Sequence, residues 1–381
     1  MKNQIYLIPG LFGFTELGAF NYFHQVAEIL RKQLYEQGVD AEIIEVETIP
    51  TGSVKRRAER LIGAVCEHGG LDADNLHFIG HSTGGLDIRL MLTSGVRLMA
   101  DNAETEIASR TRTAISLATP HYGTNLANVF TSLNGRNLLL LLSLMATSWP
   151  GRYSVYTIAK LLRHYSQLDH LLGQKDNILD SLGNNLFDQI RIEEGDAIWQ
   201  YLRQISRDQG ALIQLTPEGM DLFNAAVTDR PTVDYVSFIT ASPPPSTKLL
   251  LPQLGNLYQP FTHLIYKLCY QLAQKEHPHY PYPRAVADML TAVADTVELP
   301  IDANSNDGIV PTLSQVWGKV GGVYQADHMD VVGHFQHVND GRSYHTWMMS
   351  GSGFNGDRFA TIWRDISEVV VRNQAGGLQG R

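Results

Sequence analysis

Cysteine is nearly absent from this sequence. Only Cys66 and Cys269 occur, far apart and with no Cys-x-x-Cys pair. No disulfide framework can be read from them, and two free buried thiols are expected. Charge is sparse as well. Charged residues make up 18% of the chain, the formal net charge is −9, and no basic cluster occurs. That argues against nucleic acid as a partner. Long apolar runs are also missing. The longest, Leu138 to Met145, is about half what a bilayer requires. The stretch from Met1 to Pro9 has a single lysine, no extended apolar region and no small-residue cleavage site. No signal peptide is read there, and a cytoplasmic protein is expected. What remains is an ordinary apolar complement, 44% of 381 residues. It suffices for a sizeable core in one large domain or two ordinary ones.

Strand and helix patterns alternate through the first third. Ile5-Tyr6-Leu7-Ile8 is a short apolar strand ending at Pro9-Gly10. Phe23, Val26, Ala27, Leu30 and Leu34 recur at helical spacing, and Gly38 follows as a glycine stop. A strand at 41–46 and a helix through Val54, Ala58, Leu61, Ile62 and Val65 come next, then strands at 76–79 and 113–119. This alternation predicts a mostly parallel sheet with helices on both faces. Residues 124–230 break it. They are helical in pattern and rich in Leu, Asn and Gln, which reads as an inserted helical cap. Core pattern resumes at 234–241, passes a polar and aromatic insertion at about 247–285, and reaches a last strand at 322–326. Phe359, Ile362, Trp363, Ile366, Val369 and Val370 mark a final helix. The Gly-rich tail, 373–381, is expected to be flexible. The expected division is core over 1–123, cap or lid over 124–230, and core again over 231–372.

Gly80-His81-Ser82-Thr83-Gly84 reads G-x-S-x-G, between an apolar run, Leu76 to Ile79, and a helical pattern, Gly85 to Leu92. Strand, sharp turn and helix are the context of a nucleophile elbow, where flanking glycines leave room for a strained serine. A serine hydroxyl needs a histidine to take its proton and a carboxylate to hold that histidine in the right tautomer. In the chain order serine, acid, histidine, Asp307 lies in the turn Asn304 to Pro311. His328 follows in Asp327-His328-Met329-Asp330. His334, His337 and His345 are rivals for the base, the last two in a polar segment that reads as solvated. An oxyanion hole needs two backbone N–H groups. Thr83 follows the serine, and Leu11 lies in the glycine-bounded loop Pro9-Gly10-Leu11-Phe12-Gly13. His121 reads as a structural residue beside the elbow, and Asp87 and Arg89 as stabilisers of the elbow. Leu138 to Leu142 are either buried helix or the apolar face of a lid.

These segments resemble the bacterial true lipases of the Pseudomonas and Burkholderia type, and more distantly the thermoalkalophilic Bacillus-type lipases. The resemblance runs through Ile5 to Phe14, Ile79 to Gly85, Ala118 to Thr124, and the loops holding Asp307 and His328, with a further counterpart in Leu215 to Asn224. It implies an α/β-hydrolase fold and ester hydrolysis through an acyl-enzyme, with Ser82, His328 and Asp307 as the triad. Pro9 stands where those families usually have histidine, so a side-chain support of the oxyanion loop is lost. Those lipases also hold a structural calcium near the histidine. Asp330 matches one of its carboxylates and is left as a weak calcium candidate. His334 stands where an amide ligand is expected, and calcium prefers oxygen. No cofactor is therefore expected. Secreted members carry a signal peptide and often a disulfide, and this chain shows neither, which suggests an intracellular relative.

The expected function is hydrolysis of hydrophobic carboxylic esters, with transient lipid-surface contact through the cap. An intracellular polyester depolymerase, a phospholipase or thioester hydrolase, and an acyltransferase share every catalytic residue. A binding protein on an inactivated hydrolase scaffold is the alternative from another class.

Overall fold

The computed structural model describes residues 1–17, 20–130, 201, 204–205, 208–246, 249, 258–274, 286, 288, 300–339, 342–344 and 347–374. Six strands make one parallel sheet: β1 (Asn3–Ile8), β2 (Glu42–Glu45), β3 (Asn75–His81), β4 (Thr111–Leu117), β5 (Asp234–Ala241) and β6 (Lys319–Gln325). Their order is β2-β1-β3-β4-β5-β6. Within it Ile5 lies opposite Ile43 on one side and His77 on the other. The helices are α1 (Val26–Glu36), α2 (Val54–Glu67), α3 (Gly84–Leu92), α4 (Ala103–Arg110) and α5 (Asn125–Phe130). Then come α6 (Gly210–Gln214), α7 (Pro217–Ala226), α8 (Tyr258–Ala273) and α9 (Gly356–Arg372).

Both faces of the sheet are covered, which is why its strands read as apolar runs. Successive side chains still part company. Ile5 and Leu7 join one buried cluster with α1 and α9, while Tyr6 and Ile8 join another with α2, α3 and α4. That is the period-2 alternation of a strand. The helices present stripes to match. Val54, Ala58, Leu61, Ile62 and Val65 are all buried, and Ser53 caps their helix by accepting from the Arg56 N–H. On α9 the buried face is Phe359, Ile362, Trp363, Ile366, Val369 and Val370, with Asn355 as the cap. Gly38 ends α1 in the left-handed region, at φ +77°. Cys66 and Cys269 are free.

The structure moves several expected boundaries. β4 stops at Leu117 because Ala118 turns to φ +51°, ahead of Pro120. β6 begins at Lys319, earlier than its pattern suggests, because Gly321 interrupts it. A Cβ at Gly321 would meet the Phe238 ring at 2.7 Å. Helix α4 has no expected counterpart, since only Ala103, Ile107 and Ala108 give it an apolar side. Within the stretch read as a polar and aromatic insertion, α8 sends Ile265, Tyr266, Cys269 and Tyr270 into the first cluster. Of the expected cap, α5, α6 and α7 are described. Residues 131–200, with Leu138 to Leu142, lie outside the described residues, as do His345 and 375–381. Among the described residues no helix is long and apolar enough to cross a membrane.

Glu45 sits on the edge strand β2, where burial and the nearby Glu16 charge push its carboxyl up to about 7. A folded-state value above the unfolded one means that the folded chain holds this proton more tightly. Stability is then lost as pH rises from the unfolded carboxyl value of about 4 to about 7, and the loss is constant above that. Glu45→Gln should therefore raise the thermal midpoint at about pH 8 and leave it unchanged near about pH 4. Differential scanning calorimetry at both values checks this.

Candidate active site

Ser82 stands at the end of β3 with φ +54°, a region that non-glycine residues rarely enter. Its N–H donates to the Leu117 carbonyl at 2.9 Å. The glycines around it are steric necessities. A Cβ on Gly80 would lie 2.4 Å from the Gly84 backbone, and one on Gly84 would lie 2.4 Å from the Ile8 carbonyl oxygen. A Cβ on Gly85 would meet Thr119 Oγ1 at 2.3 Å. The turn from β3 into α3 is thus wedged between β1 and the end of β4.

His328 follows β6, and its Nδ1 lies 2.8 Å from Asp307 Oδ2. A carboxylate only accepts, so Nδ1 carries the proton and Nε2 is left with a lone pair. The backbone repeats the link, with the His328 N–H donating to the Asp307 carbonyl at 3.0 Å. Asp307 is completely buried, and its carboxylate accepts from every side. Ile309 and Val310 N–H groups reach Oδ1 at 3.0 and 2.7 Å. Thr240 Oγ1 and Gln315 Nε2 reach Oδ2 at 2.8 and 3.2 Å. Thr240 and Gln315 carry no motif, so sequence reading passes over them.

The loop after β1 is equally constrained. The Leu11 carbonyl accepts from the Thr51 N–H at 2.8 Å, and Gly13 N–H donates to Gly10 O at 3.0 Å. Arg57, fully buried, donates from Nη2 to the Pro9 carbonyl at 2.8 Å and from Nε to both oxygens of Asp87, at 3.1 and 2.9 Å. Burial pushes the Asp87 carboxyl up to about 6 against the pull of Arg57. Arg57 thus joins the Pro9 carbonyl to α3 through Asp87. The N–H groups of Leu11 and Thr83 meet no acceptor among the described residues.

Ser82, Thr83, Leu11 and His328 line one cavity. Most of its other described lining is apolar, including Leu126, Phe130, Leu212, Leu215, Ile309 and Trp347. No Lys, Arg, Asp or Glu side chain lines it among the described residues. No hydrogen bond joins Ser82 Oγ to His328 in this structure, and such bonds often tighten only when substrate is bound. His334 is turned elsewhere, with Nε2 3.1 Å from the Tyr22 carbonyl. His337 lies in the strand His337–Asn339.

Three other expectations resolve into specific contacts. His121 lies 3.0 Å from Ser116 Oγ and accepts from Arg89 Nη1 at 3.3 Å. Burial holds its imidazole well below the usual range. Arg89 is stacked 3.4 Å from the Trp317 ring and donates to Asn224 Oδ1 at 3.0 Å. Asp87 and Arg89 thus tie α3 to other elements rather than to itself. Asp330 Oδ2 accepts from the Asp327 N–H at 2.9 Å and from Ser352 Oγ at 2.7 Å. Asp327 in turn accepts two amides and the Ser350 hydroxyl. Hydrogen-bond donors surround this pair where calcium needs oxygen ligands, so the residues do not fit that ion. Burial raises both carboxyls.

A family model described as "Putative serine esterase (DUF676)" matches residues 28–148, a span that holds Ser82 but neither Asp307 nor His328. No curated protein matches the chain. Among solved structures, EstA from Clostridium botulinum is similar over 97% of this chain and 87% of its own, at 16% identity and a TM-score of 0.55. Lipase 1 from Pelosinus fermentans is similar over 96% of this chain and 99% of its own, at 15% identity and a TM-score of 0.51. These likenesses and the parallel sheet establish the α/β-hydrolase fold. Within it, the Arg57–Asp87 pair makes a direct prediction. Arg57→Leu leaves a buried carboxylate without its cation and should cost about 3–5 kcal/mol of stability in denaturant unfolding.

Proposed function

We propose that this chain is a serine hydrolase of hydrophobic carboxylic esters that works through an acyl-enzyme. The match to the serine esterase model supports ester hydrolysis. The observation that carries the reading is a left-handed Ser82 sharing an apolar cavity with His328, whose far nitrogen is fixed 2.8 Å from Asp307. Ser82 Oγ attacks the ester carbonyl as His328 Nε2 takes its proton. Negative charge moves to the carbonyl oxygen, where the Leu11 and Thr83 N–H groups receive it. The tetrahedral species collapses, His328 gives its proton to the departing alcohol, and the acyl group stays on Ser82. Water then repeats the sequence, activated by the same histidine, and the acid leaves. Asp307 holds the tautomer and stabilises the imidazolium that forms twice per turnover.

The cavity wall suggests the substrate. Apolar side chains suit an acyl chain, and among the described residues no charged side chain lines the cavity to meet a phosphate or a carboxylate. The motif resemblance to bacterial true lipases points the same way. A carboxylic ester of medium acyl chain is therefore favoured over a phospholipid. With p-nitrophenyl esters of increasing acyl length, kcat/KM should rise from acetate to medium chains. Asp307→Asn should lower kcat by about 10⁴-fold and His328→Ala by about 10⁶-fold, whereas His334→Ala should keep most activity. Retained turnover in His328→Ala, with loss in His334→Ala, would reassign the base.

A further inference from the structure

Three loops bring the reacting groups together: one after β1, one after β3 and one after β6. A chain of hydrogen bonds runs through all three beneath Ser82. The Gly10 N–H donates to the Tyr22 hydroxyl oxygen at 2.8 Å. Tyr22 Oη lies 2.7 Å from His81 Nδ1. His81 Nε2 lies 2.8 Å from the carbonyl oxygen of His328. The directions follow from the groups themselves. A carbonyl can only accept, so His81 Nε2 carries the proton. His81 Nδ1 is then a lone pair and takes the Tyr22 O–H. The remaining lone pairs of Tyr22 take the Gly10 amide. Each donor has its acceptor, and both Tyr22 and His81 are buried.

Resting on the hydrolase reading above, we propose that Tyr22 and His81 are positioning residues, a relay that fixes the oxyanion loop and the base loop against the nucleophile elbow. His81 is the unspecified residue of G-x-S-x-G, and its neighbour Ser82 carries the nucleophile. At the Gly10 end, the relay fixes the peptide that precedes the Leu11 N–H. A Cβ on Gly10 would lie 2.7 Å from both Ser82 Cβ and Tyr22 Oη, so this backbone has no room to shift. At the other end, the relay grips the backbone of His328 while Asp307 grips its ring. Tyr22 is itself anchored, its N–H on the Thr15 carbonyl at 2.8 Å and its carbonyl 3.1 Å from His334 Nε2. Burial, with His328 and His334 nearby, holds His81 well below the usual histidine range. Burial likewise keeps Tyr22 protonated. The relay therefore stays neutral beside the base, whose ring centre is 4.7 Å from that of His81.

Tyr22→Phe keeps the ring and removes only the hydroxyl. With p-nitrophenyl butyrate its kcat should fall by about 10–100-fold, as expected when reacting groups are misplaced by about an ångström, while KM changes by less than about 3-fold. His81→Leu should behave alike. His81→Gln, whose amide can still donate to the His328 carbonyl, should recover activity above His81→Leu. A wild-type kcat in folded Tyr22→Phe overturns the relay, even where His81→Leu fails to fold. A second measurement does not depend on turnover. In ¹⁵N-histidine NMR spectra of the wild type, the signal lost in His81→Gln should show a protonated Nε2 and a bare Nδ1 at neutral pH. A protonated Nδ1 overturns the relay. If the wild type cleaves no ester, the hydrolase reading fails, and the spectra still decide the hydrogen-bond chain.

Discussion

One backbone turn governs this site. Ser82 is held at φ +54°, a conformation that costs about 1–3 kcal/mol and persists only where the surroundings over-determine it. They do so here through contact. The elbow is pressed against the Ile8 carbonyl on one side and Thr119 on the other, at distances that a single methyl group would violate. Glycine at 80, 84 and 85 is the condition for that fit. The turn so fixed places Ser82 in the cavity wall.

The parallel sheet supplies the rest. Loops at the carboxyl ends of β1, β3 and β6 converge on one side, where ligands bind in open α/β sheets. In the proposed reaction the first brings the Leu11 N–H, the second the nucleophile with the Thr83 N–H, and the third the base. Such loops would move independently if nothing joined them. Arg57 ties the first to α2 and α3, through Pro9 and Asp87. The Asp307 carboxylate, accepting from five donors, sets the last against β5 and its neighbours. These polar groups are buried with partners in place, which makes them rigid as well as costly to disturb.

Much of this was legible in the sequence. Strands buried on both faces show as apolar runs, and the stripes of α2 and α9 are strong because each packs a single face. Ser82, Asp307 and His328 could be picked out because a motif, a chain order and two short loops carry them. The structure brings them to one place. Gln315, Thr240, Tyr22 and Arg57 were not visible, since no motif or spacing marks these residues even where their elements were read. Arg57 lies on a helix whose pattern explains only its apolar neighbours. β6 was misread at its start because Gly321 fits a close contact with Phe238 rather than a pattern. Asp330, left as a weak cation candidate because its carboxylate matches a lipase ligand, has an amide and a hydroxyl as its partners.

Asp307 and His328 act only if Ser82 is the group that attacks. Reaction with a fluorophosphonate, followed by peptide mass spectrometry, tests that directly. A single adduct on Ser82 is the expected result, lost in Ser82→Ala. Labelling of a different residue, or no labelling of the folded protein, would contradict it.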